Sequence, residues 1–105
     1  MFDETIDLNE FSNLTTLLTL QDISFTTHSM FNGAQVRGIN GTWDVICHSG
    51  SYGHEQGLLE YMGYIAPYHD IDDTVVGYLT ADEALIYIKE DEERKKANEK
   101  ASRDS

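Results

Sequence analysis

Cys47 and His48 stand side by side, the residue types that pair a thiol nucleophile with a general base. They lie in a stretch of alternating polar and apolar residues, where neighbours point to opposite faces of a strand. Cys47 falls on the apolar side, where a buried cysteine behaves as a small hydrophobe. A reactive thiolate needs exposure and positive surroundings, and this part of the chain is acidic. Cys47 is therefore expected in the core, and no catalytic residue is assigned.

Metal and phosphate chemistry fare no better. His48, His54, His69, Asp70 and Asp72 are metal-ligating types, but their spacing matches no recurrent zinc pattern. Residues 72–83 imitate part of a calcium loop, with Asp72 at position one, Gly77 at six and Glu83 at twelve. Val76 at position five has no side-chain oxygen, and a capping box formed by Thr80 and Glu83 accounts for the same residues. The turn Ser49-Gly50-Ser51-Tyr52-Gly53 lacks both the Gly-Lys-Ser/Thr ending and the Gly-x-Gly-x-x-Gly spacing of phosphate-binding loops. No metal and no cofactor is expected.

What remains is a set of carboxylates and aromatic rings. Tyr52, Tyr61, Tyr64, Tyr68, Tyr78 and Tyr87 are interleaved with acids in the second half of the chain. Tyrosine is enriched where binding energy concentrates, and its ring accepts cations. The partner-binding candidates are Asp44, Glu55, Glu60, Asp70, Asp72 and Asp73, with Tyr52, Tyr64 and Tyr68.

Charge gives this set a direction. The 105 residues carry a formal net charge of −12. Residues 1–88 hold 13 acids and one base, Arg37, while residues 89–105 hold six of each. A field of this sign repels nucleic acid and anionic membranes and attracts basic surfaces. The expected partner is a basic protein surface, such as that of a nucleic-acid-binding enzyme, with no direct binding to nucleic acid and none to membranes. Leu, Ile, Val and Phe make up 25 of the 105 residues, above the level of about 20% at which charged chains stay unfolded. One cysteine, an acidic start at Met1-Phe2-Asp3-Glu4 and no long apolar run point to a cytoplasmic protein.

The elements that must position these residues can be read from periodicity. Leu8, Phe11, Leu14, Leu17 and Leu18 recur at helical spacing behind an Asp7–Glu10 capping box, predicting a helix over 8–19. Two Asn-Gly pairs then suit tight turns. Asn40-Gly41 would set Val36 opposite Val45 and Ala34 opposite Cys47. Asn32-Gly33 would set Phe31 opposite Ala34 and Ser29 opposite Val36. Ile23, Phe25, Phe31, Ala34, Val36, Trp43, Val45 and Cys47 then share one face of a three-stranded antiparallel meander. His28, Arg37 and Asp44 form a row on the other face, with Arg37 directly across from Asp44. A short helix is predicted over His54–Met62, stopped by Gly63. An irregular connection containing Pro67 covers 64–79, with Val75–Leu79 extended. A last helix follows the Thr80–Glu83 box to about residue 98. The expected architecture is α+β, ordered helix, three strands, short helix, irregular connection, helix. It comprises one acidic domain over 1–88 and a charge-balanced polar extension over 89–105.

The run Trp43-Asp44-Val45-Ile46-Cys47-His48-Ser49-Gly50-Ser51-Tyr52-Gly53, with Gly63 and Gly77-Tyr78-Leu79-Thr80 later, resembles small acidic proteins of bacterial phages and mobile elements. That resemblance implies a host-interaction or defence-countering role of the anti-CRISPR or anti-restriction kind, in which an acidic inhibitor mimics nucleic acid. The leading expectation is a non-enzymatic inhibitor docking on a basic nucleic-acid-binding surface. The alternative is a structural or assembly subunit of a phage or mobile-element complex. A small enzyme or metal-binding protein ranks third.

Overall fold

The computed structural model describes residues 6–39, 42–63 and 75–104. A helix α1 (Asn9–Leu20) leads into strands β1 (Phe25–Met30), β2 (Gly33–Gly38), β3 (Trp43–Cys47), β4 (Leu59–Gly63) and β5 (Val75–Leu79). A long helix α2 (Ala81–Asp104) closes the order. The five strands form one antiparallel sheet in sequential order. The architecture is α+β, with a wider sheet than the three-stranded meander expected from sequence.

Both helices cover one face of this sheet. Phe11, Leu14 and Leu18 of α1 and Ala81, Ala84 and Ile88 of α2 are buried against Val36, Trp43, Val45, Cys47, Leu59, Tyr61 and Leu79. The alternation of buried and half-buried residues along β3 is the period-two signature of a sheet with one covered face. Val36, Val45, Tyr61 and Val76 lie in one row across four strands. Trp43 is fully buried, and Gly38 makes room for it: a Cβ there would meet the indole Nε1 at 2.5 Å. That Nε1 donates to Glu92 Oε1 at 3.2 Å, so α2 stays tied to the body beyond Ile88.

The β2–β3 register is the expected one, Ala34 opposite Cys47 and Val36 opposite Val45. Its Asn40-Gly41 turn lies outside the described residues. The β1–β2 hairpin turns one residue earlier than expected. Met30 pairs with Gly33, and Phe31-Asn32 form the two-residue turn at φ 44° and 63°. Gly33 is needed for space instead, because a side chain on it would overlap the carbonyl of Cys47 at the end of β3. Thr27, not Ser29, therefore sits opposite Val36. The shift is two residues, so the faces of β1 are unchanged. Phe31 alone leaves the expected apolar face and is 70% exposed.

The expected helix over His54–Met62 is corrected. Only a 3-10 turn forms, over His54–Gln56, between Gly53 at φ 95° and Gly57 at φ 71°. Left-handed glycines on both sides stop helix propagation. Leu59, Tyr61 and Gly63 then alternate into β4, which β3 and β5 hold from both sides. The extended stretch Val75–Leu79 is β5. A register shift lies between Leu59 and Tyr61, so Gly77 and Tyr78 together oppose Glu60. This bulge lets Val76 and Leu79 share the core side despite their odd spacing.

The two capping boxes behave differently. At α2 the box is complete: Glu83 N donates to Thr80 Oγ1 at 3.3 Å, and Thr80 N donates to Glu83 Oε1 at 3.0 Å. At α1 the reciprocal box expected between Asp7 and Glu10 does not form. Asp7 Oδ1 accepts from Asn9 N at 2.9 Å, while Glu10 Oε1 accepts from Ala81 N at 2.7 Å. Glu10 caps the other helix.

Candidate functional site

One end of the sheet gathers the β1–β2 turn, the end of β3, the loop that follows it, and the end of β5. Three aromatic side chains stand out there: Phe31 at 70% exposure, Tyr52 at 64% and Tyr78 at 55%. Phe31 and Tyr78 both have left-handed backbone, φ 44° and 59°. That region costs a bulky residue free energy, so the surrounding contacts must hold it. Phe31 O accepts from Ser49 N at 3.1 Å, and its ring meets His48 edge-on at 5.3 Å. Tyr78 N donates to Tyr52 O at 3.4 Å. Gly77 leaves room for the Tyr52 side chain, since a Cβ on it would approach Tyr52 Cβ to 2.6 Å.

The loop beneath these rings is held by short hydrogen bonds. Ser51 Oγ accepts from His48 N at 3.0 Å and donates to His48 O at 2.9 Å. His48 Nδ1 accepts from Gly50 N at 2.9 Å. Tyr52 N donates to Glu60 Oε1 at 3.1 Å, which fixes the loop to β4. His54 Nε2 lies 3.6 Å from Glu55 Oε1.

The described members of the expected binding set thus divide. Tyr52 and Glu55 are exposed on this loop. Glu60 is buried and serves as the acceptor for Tyr52 N. Asp44 is half-buried on the open sheet face, where its Oδ2 accepts from Gln35 Nε2 at 2.7 Å. Tyr64, Tyr68, Asp70, Asp72 and Asp73 lie outside the described residues. The sequence placed Phe31 on the apolar face and offered Tyr78 only as one of six interleaved tyrosines, outside the binding set. The signal for Phe31 was Asn32 itself, a residue that tolerates the left-handed region as readily in the second turn position as in the first.

The polar row is partly assembled. Arg37 is opposite Asp44 as expected, and His28 is opposite Gln35. Asp44 takes its hydrogen bond from Gln35, and His28 Nε2 lies 3.3 Å from Thr26 Oγ1.

Cys47 sits on the core side with no exposed surface, and its Sγ donates to Asp7 O at 3.8 Å. Burial pushes its thiol above the ordinary value, and the charge of Asp7 adds to the rise. His48 occupies the adjacent turn with its Nδ1 engaged by Gly50. Among the described residues, no three His, Cys, Asp or Glu side chains converge as a metal site would require. Among them also, no helix is long and apolar enough to cross a membrane.

No protein-family model, curated protein or solved structure matches this chain.

Proposed function

We propose that this chain is a non-enzymatic binding protein that docks on a basic surface, its carboxylates standing in for the phosphates of a nucleic acid. The observation that carries this reading is the charge layout: 13 acids against one base over residues 1–88. Asp7, Asp22, Glu55, Asp82 and Glu83, five of the eight described acids of this body, are exposed to solvent. The exposed rings of Phe31, Tyr52 and Tyr78 supply apolar and cation–π contact beside it. The resemblance to phage-borne inhibitors points the same way, towards a nuclease of a host defence system as the partner.

The test begins with the immobilised chain, a bacterial lysate and washes at two salt levels. The retained protein should bind nucleic acid, should leave at high salt, and should be displaced by added DNA or RNA. Combining Tyr52→Ala with Glu55→Lys should weaken capture while leaving the circular dichroism unchanged. A partner that survives high salt and ignores nucleic acid would sink the mimicry reading.

A further inference from the structure

The core stripe of α2 runs through Ala81, Ala84 and Ile88 to Asp91, all buried. A carboxyl group stands where the helical period calls for another apolar side chain. It lands on Tyr61 of β4. The Tyr87 ring stacks on the Tyr61 ring with centroids 5.1 Å apart, and Asp91 follows one turn later on the same side of α2. Two successive turns therefore bracket Tyr61, one on its ring and one at its hydroxyl. Gly63 forms the floor of this notch, since a Cβ on it would collide with both the Tyr61 hydroxyl and Asp91 Oδ2.

The notch suits an uncharged Asp91 and not an ionised one. Tyr61 OH, Asp91 Oδ1 and Asp91 Oδ2 are all shut off from solvent, and none has a hydrogen-bond partner. An uncharged carboxyl meets a phenol as donor or acceptor, so a small movement completes that pair. A buried carboxylate needs several donors, and the phenol offers one. The described charged and titratable groups around Asp91 do not make up the difference. β4 supplies the Tyr61 phenol. β3 supplies Trp43, whose Nε1 donates to Glu92 Oε1. On α2, Arg94 Nη1 lies 3.7 Å from Asp91 Oδ1, while its Nη2 lies 3.9 Å from Glu90 Oε2. After α1, Asp22 borders a groove with Glu92 and Lys96.

Past this notch the apolar anchoring of α2 has ended. Among the described residues, no side chain beyond Asp91 is buried. We propose that Asp91 is a proton-operated catch, which seats the outer half of α2 (residues 89–104) on Tyr61 and Gly63 when uncharged and lets that half leave the sheet when ionised. The inner half stays in place through Ala81, Ala84, Ile88 and the Glu10–Ala81 bond. Burial raises the Asp91 carboxyl to about 6, with Arg94 opposing the rise and Glu92 adding to it. The seated form therefore holds the proton more tightly than the released form. The ratio of released to seated chains grows about tenfold per pH unit between about pH 4 and 6, then levels off about a hundredfold higher. Acid closes the helix on the sheet, and neutral solution opens it.

Trp43 is the one tryptophan of the chain, and its N–H is bonded to the residue beside the catch. Its fluorescence therefore reads the seating. The experiment is acrylamide quenching of Trp43 from pH 4 to 8, with amide hydrogen exchange alongside. In the wild-type chain, quenching should rise between about pH 4 and 6, and protection should fall in α2 after Ile88 but not in β2 and β3. Asp91→Asn should stay seated at pH 8, and Asp91→Leu gives the same reading if the amide variant does not fold. Glu92→Gln keeps an acceptor for Trp43 without the charge and should respond as the wild-type chain does. Quenching that ignores pH in the wild-type chain overturns the proposal. So does a pH response that persists in the Asp91 variants, one that vanishes in Glu92→Gln, or one in which β2 and β3 lose protection together with α2. No partner enters the measurement, so its outcome stands apart from the docking proposed above.

Discussion

Glu10 in α1 accepts a hydrogen bond at 2.7 Å from the backbone N–H of Ala81, the first residue of α2. A carboxylate on that free N–H satisfies one of the unpaired donors of the helix start and faces the positive end of its dipole. It also staples the two helices across 71 positions of chain. Glu10→Ala should lower unfolding free energy by about 1 kcal/mol, and Glu10→Gln by less, since the amide oxygen can still accept. Urea unfolding of both variants measures this. Equal losses in the two would assign the effect to charge rather than to the hydrogen bond.

Asp91 continues the buried stripe of α2 after Ala84 and Ile88, and is wholly buried. Neither of its oxygens takes a hydrogen bond, and Arg94 Nη1 lies 3.7 Å away. Burial raises its carboxyl from 3.8 to about 6; Arg94 opposes the rise and Glu92 adds to it. The folded state thus holds this proton more tightly than the unfolded state. Its contribution to stability is full below about pH 4 and is lost as pH rises through about 6, a change of about 3 kcal/mol at full ionisation. Glu83 acts in the opposite sense. Hydrogen bonds from the Thr80 backbone and then its hydroxyl lower its carboxyl, so its contribution is lost as pH falls through the folded value. Stability should peak in mildly acidic solution. Asp91→Asn should be more stable than wild type at about pH 8 and should flatten the slope between about pH 4 and 6. An unchanged slope would mean that the carboxylate finds a partner in solution.

The turn at Phe31 and Gly33 should respond to substitution with opposite signs. Phe31 is exposed and left-handed. Phe31→Gly relieves that strain and should raise stability by about 1 kcal/mol, seen as an increase of about 4–8 °C in Tm. Gly33→Ala instead drives a methyl into the Cys47 carbonyl and should cost about 2–3 kcal/mol. If Phe31 contributes to partner docking, the more stable Phe31→Gly chain will bind less well. That divergence would mark the strain as functional.

Cys47 should be inert in the native chain. Its thiol has no exposed surface, and burial holds it in the protonated form. Alkylation by iodoacetamide should follow the opening of the fold, speeding in urea as the unfolded fraction grows. Prompt labelling of the native chain would reopen the nucleophile reading of Cys47 and His48.

Much of the sheet was legible because period two is robust. The core face through Val36, Trp43, Val45 and Cys47 follows from alternation alone, and the β2–β3 register is the expected one. The helical period of about 3.6 residues predicts α1 and the start of α2 from their apolar stripes. Three things were not legible. The choice between Phe31-Asn32 and Asn32-Gly33 as turn residues depends on space beside Cys47, a contact across the sheet that local sequence does not contain. β4 was read as helix because Leu58, Leu59 and Met62 mimic a helical stripe, whereas the left-handed glycines at 53 and 57 and pairing from both sides impose a strand. Glu10 was matched to its sequence neighbour Asp7, when its partner is the distant helix start. Within the candidate site, Tyr52 and Glu55 were found from composition, but Glu60 was not recognisable as a buried acceptor. Its exposure depends on how the loop after β3 folds back.

The sequential order of the strands has a kinetic consequence. Every strand pair joins chain neighbours, and β1–β2 and β2–β3 are the pairs separated by the fewest residues, so they close at the least entropy. The contact that spans the whole chain is α1 against α2, latched by Glu10 and Ala81. Folding should therefore grow outward from the β2–β3 hairpin, and the two helices should meet last. In rate measurements, Val45→Ala should mainly slow refolding, while Glu10→Ala should mainly speed unfolding. The helix-to-helix latch would then set how long the native chain lasts rather than how quickly it forms.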